Sequence, residues 1–158
     1  MKDSTLRTSV RVLGTWFGCG RSPYFPGTVG TLGGLPLYWL FAQTGDLSYL
    51  VITVIFVGFS VLVAHFYEQE FARHHDPAEL VIDEVSGLLV TMALVPVTLA
   101  HVALGVLIFR GFDMLKPFPI SLVDRKVPGG LGAVADDVLA GLLSNLLLQY
   151  LLNRGVLG

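Results

Sequence analysis

The chain has 158 residues, enough for one domain over 1–158 with no linker to divide it. Apolar residues make up 53% and charged residues only 14%, with a mean hydropathy of +0.70. Soluble domains carry about a quarter charged residues, so something other than water is expected to cover much of this surface. A net charge of −2 excludes a nucleic-acid partner, and a single cysteine, Cys19, excludes an internal disulfide and fits a reducing compartment.

Residues 1–11 carry Lys2, Arg7 and Arg11 but lack the apolar core and small-residue cleavage site of a signal peptide. The first apolar stretch, 29–42, is short and glycine-rich, with Tyr38 and Trp39 near its end. The second, 47–67, has His65 as its only strongly polar member and is bounded by Asp46 and Glu68. About 20 apolar residues at 1.5 Å each cross a ~30 Å hydrocarbon core, which makes 47–67 the best spanning candidate. The third stretch, 85–109, has Pro96 near its middle, and the last, 138–152, is a leucine-rich helix. The expected fold is all-α: a compact multihelical membrane protein with short or broken helices and three polar segments on one side. Those segments are 18–30, 71–84 and 110–137.

They share a side only if 29–42 crosses, 47–67 returns, and 85–109 begins and ends on that same side. Pro96 breaks helical hydrogen bonding, so 85–109 is predicted to form a hairpin of two half-helices, each about 11 residues and ~16 Å long, too short to span. Lys2, Arg7, Arg11, Arg21, Arg73, Arg110, Lys116, Arg125 and Lys126 then lie on one side and Arg154 on the other. That asymmetry marks the cytoplasmic face.

Of the 12 acids, eight fall between 76 and 137: Asp76, Glu79, Asp83, Glu84, Asp113, Asp124, Asp136 and Asp137. Scarce charge bunched beside apolar helices points to a site. Asp76-Pro77 reads as a helix start, with Asp76 the N-cap, Pro77 the first helical residue and Glu79 the capping-box partner. His74 and His75 precede that cap and suit an interface better than a ligand role. Asp83 and Glu84 instead sit inside an apolar helix, where a carboxylate is costly without a cation or donors. Arg110, Asp113 and Lys116 share one helix face that ends at Pro117 and Pro119. Asp136 and Asp137 stand at the head of the final helix, where its dipole also favours carboxylates. In the first segment, Arg21, Ser22, Thr28, Thr31 and backbone amides suit phosphate oxygens. Taken alone, however, that segment reads as a Gly/Pro loop entering a membrane helix, since it is no Walker motif.

Mg²⁺ wants oxygen ligands, and there is no Cys/His spacing for zinc. Asp83, Glu84, Asp113, Asp136 and Asp137 are candidates for metal ligands and a base. Arg110, Lys116 and Arg125 are candidates to hold phosphate. A Cys-x₅-Arg phosphatase loop fails because Phe25 stands where Cys19 needs an arginine, and no Asp-x-Asp or Ser-His-Asp arrangement occurs. An ion-transporting subunit is the competing class, and it requires acids facing one another across spanning helices.

Four motifs carry a family resemblance: SPYFPGTVGTLGGLPLY (22–38), DPAELVIDEVSG (76–87), FRGFDMLKPFPI (109–120) and DRKVPGGLGAVADDVLAG (124–141). In this order, over about 12–152, the chain resembles the phosphatidylglycerophosphatase A family. The resemblance implies an all-helical, Mg²⁺-dependent enzyme of the bacterial inner membrane that hydrolyses phosphatidylglycerophosphate to phosphatidylglycerol and phosphate. The matching polar positions are Ser22, Thr28, Thr31, Asp83, Glu84, Arg110, Asp113, Lys116, Asp124, Arg125, Asp136 and Asp137. Of these, Asp83, Glu84, Asp113 and Asp137 are expected to serve catalysis, and Asp124 and Asp136 to join those four around the metal. Its partners are expected to be the phospholipid substrate and membrane lipids. Leu115 and Phe118 stand where the family commonly has tryptophan, as does Ile82, all apolar exchanges that leave the chemistry intact. Another phosphorylated lipid or a small phosphate ester remains the alternative substrate.

Overall fold

Residues 4–71 and 78–155 are described by a computed structural model in which every regular element is helical. Lys2, Arg73, His74, His75, Asp76 and Pro77 lie outside the described residues. The chain opens with α1 (Ser4–Gly14), whose buried Val10 and Gly14 face the end of α4. A 3-10 turn at Cys19–Arg21 leads into α2 (Pro26–Gly33), started by Pro26 at a position where its missing N–H costs nothing. α3 (Leu35–Ala42) continues from α2 through Gly34. A side chain at Gly34 would press within 3.1 Å of Val85 and 3.2 Å of Leu88, so glycine permits the close approach to α5.

The long apolar run forms α4 (Asp46–Phe71), 26 residues, about 39 Å at 1.5 Å per residue. Together with α8 (Gly129–Asn153) it is long and apolar enough to cross a membrane. Leu47, Val51, Val54, Ile55 and Leu62 of α4 and Leu142, Leu146 and Tyr150 of α8 are exposed. Outward apolar faces on this scale are covered in soluble proteins.

The predicted hairpin is present, with unequal arms. α5 (Ile82–Thr91) is 10 residues and α6 (Leu99–Leu115) is 17. Between them residues 92–98 are irregular, and Thr98 caps α6 by accepting a hydrogen bond from the His101 N–H at 3.2 Å. The tip reaches the turn joining α3 and α4, with Met92 and Val95 clustering with Tyr38 and Tyr49. The expectation of two short halves that stop partway is therefore corrected: the 17-residue α6 carries the tip to the start of α4, the end opposite the acids.

Irregular backbone among apolar helices needs its carbonyls satisfied from elsewhere. Two polar side chains of α8 do this. Asn145 Nδ2 donates to the carbonyls of Thr91 (2.8 Å) and Ala93 (2.7 Å), and Gln149 Nε2 to that of Leu94 (3.0 Å). The Tyr49 hydroxyl donates to the Leu89 carbonyl at 2.6 Å.

α5 and α8 run parallel in close contact. A Cβ on Gly87 would lie 2.9 Å from the Asp137 carbonyl oxygen, and one on Gly141 would lie 2.5 Å from the Gly87 carbonyl oxygen. Small residues allow such backbone approach between apolar helices.

Two boundaries correct the sequence reading. The Asp76-Pro77 cap itself lies outside the described residues, but the helix read onward from it does not include Glu79: residues 78–79 form a turn and α5 begins only at Ile82. Leu80 and Val81 are buried, and the Val81 N–H donates to the Gly14 carbonyl at 2.9 Å, so tertiary contacts hold this stretch out of the helix. Glu79 instead accepts a hydrogen bond from the Tyr67 hydroxyl at 3.4 Å. α8 begins at Gly129, with Pro128 before it, rather than at 138. Asp136 and Asp137 are thus two turns inside the helix, beyond the first turn in which the dipole acts. Pro117 and Pro119 do end α6, and α7 (Ile120–Lys126) follows.

Gly141→Leu is expected to destabilise the purified protein by roughly 1–3 kcal/mol through overpacking. Asn145→Leu should cost a similar amount, roughly 1–3 kcal/mol, by stripping the tip carbonyls. Thermal melts in detergent read both, and unchanged melting of Gly141→Leu would contradict the close crossing.

Candidate active site

Asp83 and Glu84 fall in the first turn of α5, and Asp83 precedes Gly87 by one helical turn. Asp137 precedes Gly141 by the same interval on α8. The glycine contact between the helices therefore sets the acids side by side. One carboxylate oxygen from each of Asp83, Glu84 and Asp137 lies within 4.8 Å of the others. Two such charges repel by about 3 kcal/mol at an effective dielectric of ~20. The pairs also share a local geometry: Asp83 Oδ1 accepts from the Glu84 N–H, and Asp136 Oδ1 from the Asp137 N–H, both at 3.1 Å.

α6 brings the next layer. Arg110 Nη1 donates to Asp113 Oδ2 at 2.5 Å and stands 3.8 Å from Glu84 Oε1. Arg110 Nε and Glu84 Oε2 are buried without a hydrogen-bond partner. Burial pushes the Glu84 carboxyl up to about 7, with Asp113 adding to the rise while Asp83 and Arg110 oppose it. Lys116 caps α6 in the left-handed region (φ 42). Its ammonium bridges Asp124 Oδ1 at 2.5 Å and Asp136 Oδ2 at 2.6 Å. Burial opposes the charge of Lys116, and the two carboxylates outweigh it and raise its pKa.

Eight of the expected residues line one cavity of about 280 Å³: Asp83, Glu84, Asp113, Lys116, Asp124, Arg125, Asp136 and Asp137. Arg110 lies behind them, holding Asp113. From the first segment, Gly27 packs against this layer. A Cβ there would lie 2.8 Å from Arg110 Nη2 and would press on Glu84 Oε1. The other first-segment candidates are placed elsewhere. Thr31 is fully buried and donates to the Gly27 carbonyl at 2.8 Å, Ser22 donates to the Tyr24 carbonyl at 2.9 Å, and Arg21 lines a different cavity. Thr28 is half-buried on α2 and does not line the acid cavity.

Sequence reasoning missed Glu68, which lines the cavity from the end of α4. It was legible only as the acid that closes the apolar run. Gly129 (φ 76) was also missed, and a Cβ there would approach Glu68 Oε2 to 3.4 Å. The recurrence of an acid four residues before a glycine, at Asp83/Gly87 and Asp137/Gly141, was the available signal for the pairing.

The four motifs identified in the sequence supply these residues, and the family profile described as Phosphatidylglycerophosphatase A matches residues 12–152. The chain belongs to the phosphatidylglycerophosphatase A family. It is 34% identical over 148 residues to the Escherichia coli (strain K12) phosphatidylglycerophosphatase A, covering 93% of this chain and 86% of that one. It is 32% identical over 146 residues to the Haemophilus influenzae phosphatidylglycerophosphatase A, covering 90% of this chain and 88% of that one. A Bacteroides thetaiotaomicron relative, 32% identical over 145 residues with 87% and 89% coverage, carries the provisional name of a phosphatidylinositol-3-phosphatase. No solved structure matches the chain. Membership of the phosphatidylglycerophosphatase A family makes the protein a phosphatase, a phosphoric monoester hydrolase.

The raised Glu84 carboxyl has a stability consequence. Its proton is held more tightly in the folded than in the unfolded chain, so stability falls as pH rises from the ordinary value of 4.5 towards about 7. In chelator-containing buffer, the melting temperature should drop by several degrees from pH 4.5 to 7.5, and Glu84→Gln should flatten that slope. Equal slopes in the two proteins would show that Glu84 is not the group responsible.

Proposed function

We propose that this protein hydrolyses the terminal phosphate of phosphatidylglycerophosphate to give phosphatidylglycerol, using Mg²⁺, at the cytoplasmic face of the bacterial inner membrane. The observation that carries the reading is the single cavity in which carboxylates of α5, α6, α7 and α8 meet Lys116 and Arg125 at one end of two long apolar helices. The family supplies the substrate, which is the named substrate of the Escherichia coli and Haemophilus influenzae relatives.

The residues fit a hard divalent cation. Asp83, Glu84 and Asp137 offer oxygen donors within 4.8 Å of one another, and Glu84 Oε2 is buried with no protein partner. Such an all-oxygen set suits Mg²⁺ and not a thiol- or imidazole-seeking metal. When bound, the ion supplies charge neutralisation for the transferring phosphoryl group and activates water. The chain's own residues do the positioning. Arg110 holds Asp113 and Glu84 in place from behind. Lys116 fixes Asp124 and Asp136, and its ammonium stays charged to face phosphate oxygens. Arg125 lines the cavity and forms no ion pair among the described residues, so its guanidinium is available to clamp the phosphate bidentately. Asp113, fixed through Oδ2 by Arg110 and set beside Asp137, is the candidate base for the attacking water.

The distribution of charge supports the proposed location. Arg110, Lys116, Arg125 and Lys126 cluster at the acid end, and Arg154 lies at the other end of α8. This favours the acid end as cytoplasmic. Collection of the acids at one end of the helices, instead of along them, supports hydrolysis over ion transport. A second reading, phosphatase action on another phosphorylated lipid, is favoured by the provisional name of the Bacteroides relative.

Purified protein is expected to release phosphate from phosphatidylglycerophosphate with Mg²⁺ and to stop on EDTA addition. Asp83→Asn should lose roughly 100-fold or more. A parallel panel of phosphatidylinositol-3-phosphate and a soluble ester tests the substrate, and equal turnover of all three would sink the specificity. Arg125→Ala should keep its melting temperature while kcat/KM falls by roughly 10-fold or more, because Arg125 forms no ion pair among the described residues.

A further inference from the structure

A second cavity, of about 730 Å³, has Arg7, Arg11, Arg21, Tyr67, Phe71 and Glu79 in its lining, none of which lines the acid cavity. Arg7 and Arg11 are one turn apart on α1 and so share a face. Arg21 arrives from a separate element, the 3-10 turn, which is docked where Gly20 presses on the Glu79 carbonyl. Three guanidiniums and one carboxylate, Glu79, thus share the lining, and Glu79 already receives the Tyr67 hydroxyl at 3.4 Å. Arg7 reaches Glu70 at 3.6 Å, and Arg7 and Arg11 rest on the Phe71 ring at 5.2 and 5.6 Å. Among the described residues neither Arg11 nor Arg21 forms an ion pair.

The ordinary explanation is complementing the C-terminal dipole of α4. It accounts for Arg7 and Arg11, which lie over the last residue of that helix. It does not account for Arg21, nor for a cavity left between three cations.

We propose that this cavity binds the phosphodiester headgroup of an anionic phospholipid, at a site separate from the catalytic one. Guanidinium forks match phosphate oxygens in pairs. The excess of positive charge in the lining disfavours a zwitterionic headgroup, whose ammonium would be repelled. The level is also right. The apolar run of α4 gives way at Glu68, so Tyr67 and Phe71 sit where headgroups begin, and exposed Leu6 and Val12 of α1 offer apolar contact beside them. This part of the argument rests on the reading above that α4 lies in a bilayer. Each basic residue beside an anionic lipid surface contributes about a five-fold gain in binding.

The test uses full-length protein in a neutral detergent, titrated with short-chain phosphatidylglycerol, phosphatidylcholine or inorganic phosphate, and read by native mass spectrometry. Wild type is expected to bind phosphatidylglycerol in preference to the other two. Arg11→Gln with Arg21→Gln should weaken that binding about 25-fold, and single Arg21→Gln about five-fold. Hydrolysis of phosphatidylglycerophosphate by the double variant should stay within about two-fold of wild type at saturating substrate. Circular dichroism confirms folding of each variant, and Arg21→Gln decides the matter if the double variant does not fold. Phosphatidylglycerol binding unchanged by the substitutions overturns the proposal. So does binding of phosphatidylcholine or free phosphate as tightly as the anionic lipid. Wild type that binds the lipid through these arginines but releases no phosphate would refute the catalytic reading and leave this one standing.

Discussion

The close parallel crossing of α5 and α8 is the constraint on which the rest depends. Gly87 and Gly141 let the two backbones approach as no larger residues would. One turn towards the N-terminus of each helix, the same approach brings Asp83 beside Asp137. One turn towards the C-terminus, it brings Asn145 to the Thr91 carbonyl at 2.8 Å. A single register therefore places the acids, packs the middle and satisfies the hairpin tip. Between these levels, Ser86 Oγ donates to Ser60 Oγ on α4 at 2.8 Å, extending the polar contact to a third helix.

Against that constraint stands electrostatic cost. Three carboxylates gathered in a half-buried cleft repel one another, and the apolar helices around them offer little solvation. The chain offsets the cost from two directions. Arg110 and Lys116 bring cations from the end of α6 to the outer acids Asp113, Asp124 and Asp136. The inner three, Asp83, Glu84 and Asp137, are the donor set proposed above for a divalent ion. The raised carboxyl of Glu84 records the same imbalance. The electrostatic cost of assembling the cluster is the same imbalance that the proposed cation would relieve.

Much of this was legible in the sequence. Acid scarcity made every acid in 76–137 conspicuous, and six of those acids share one cavity. Pro96 announced a hairpin, and Pro117 and Pro119 a helix end, because proline acts through covalent geometry that no tertiary contact can remove. What failed was local capping logic. The capping-box position read at Glu79 gave way to burial of Leu80 and Val81, a tertiary effect invisible to a four-residue pattern. The start of α8 was placed nine residues late because glycine, alanine and a pair of acids hide a helix from an apolar-run reading. Arg21 and Thr31 were assigned to phosphate from composition. The structure gives one to another cavity and the other a partner in its own helix. Asn145 and Gln149 passed unnoticed, since two amides in a leucine-rich helix acquire meaning only once the broken backbone opposite is known.

The sealed hairpin tip has a consequence for how a bulky lipid gains entry. α8 carries Asp137 of the central acids and, farther along, both amides that close the tip, so α5, α8 and the loop between Thr91 and Leu99 form one unit pinned at several depths. Sliding any part of it would cost hydrogen bonds at the distant end. Freedom to admit and release a headgroup is thereby left to the peripheral pieces: the far end of α6, the seven-residue α7 and the stretch leading to Pro128. The doorway is hung on the short helix, and the frame is the glycine-packed pair.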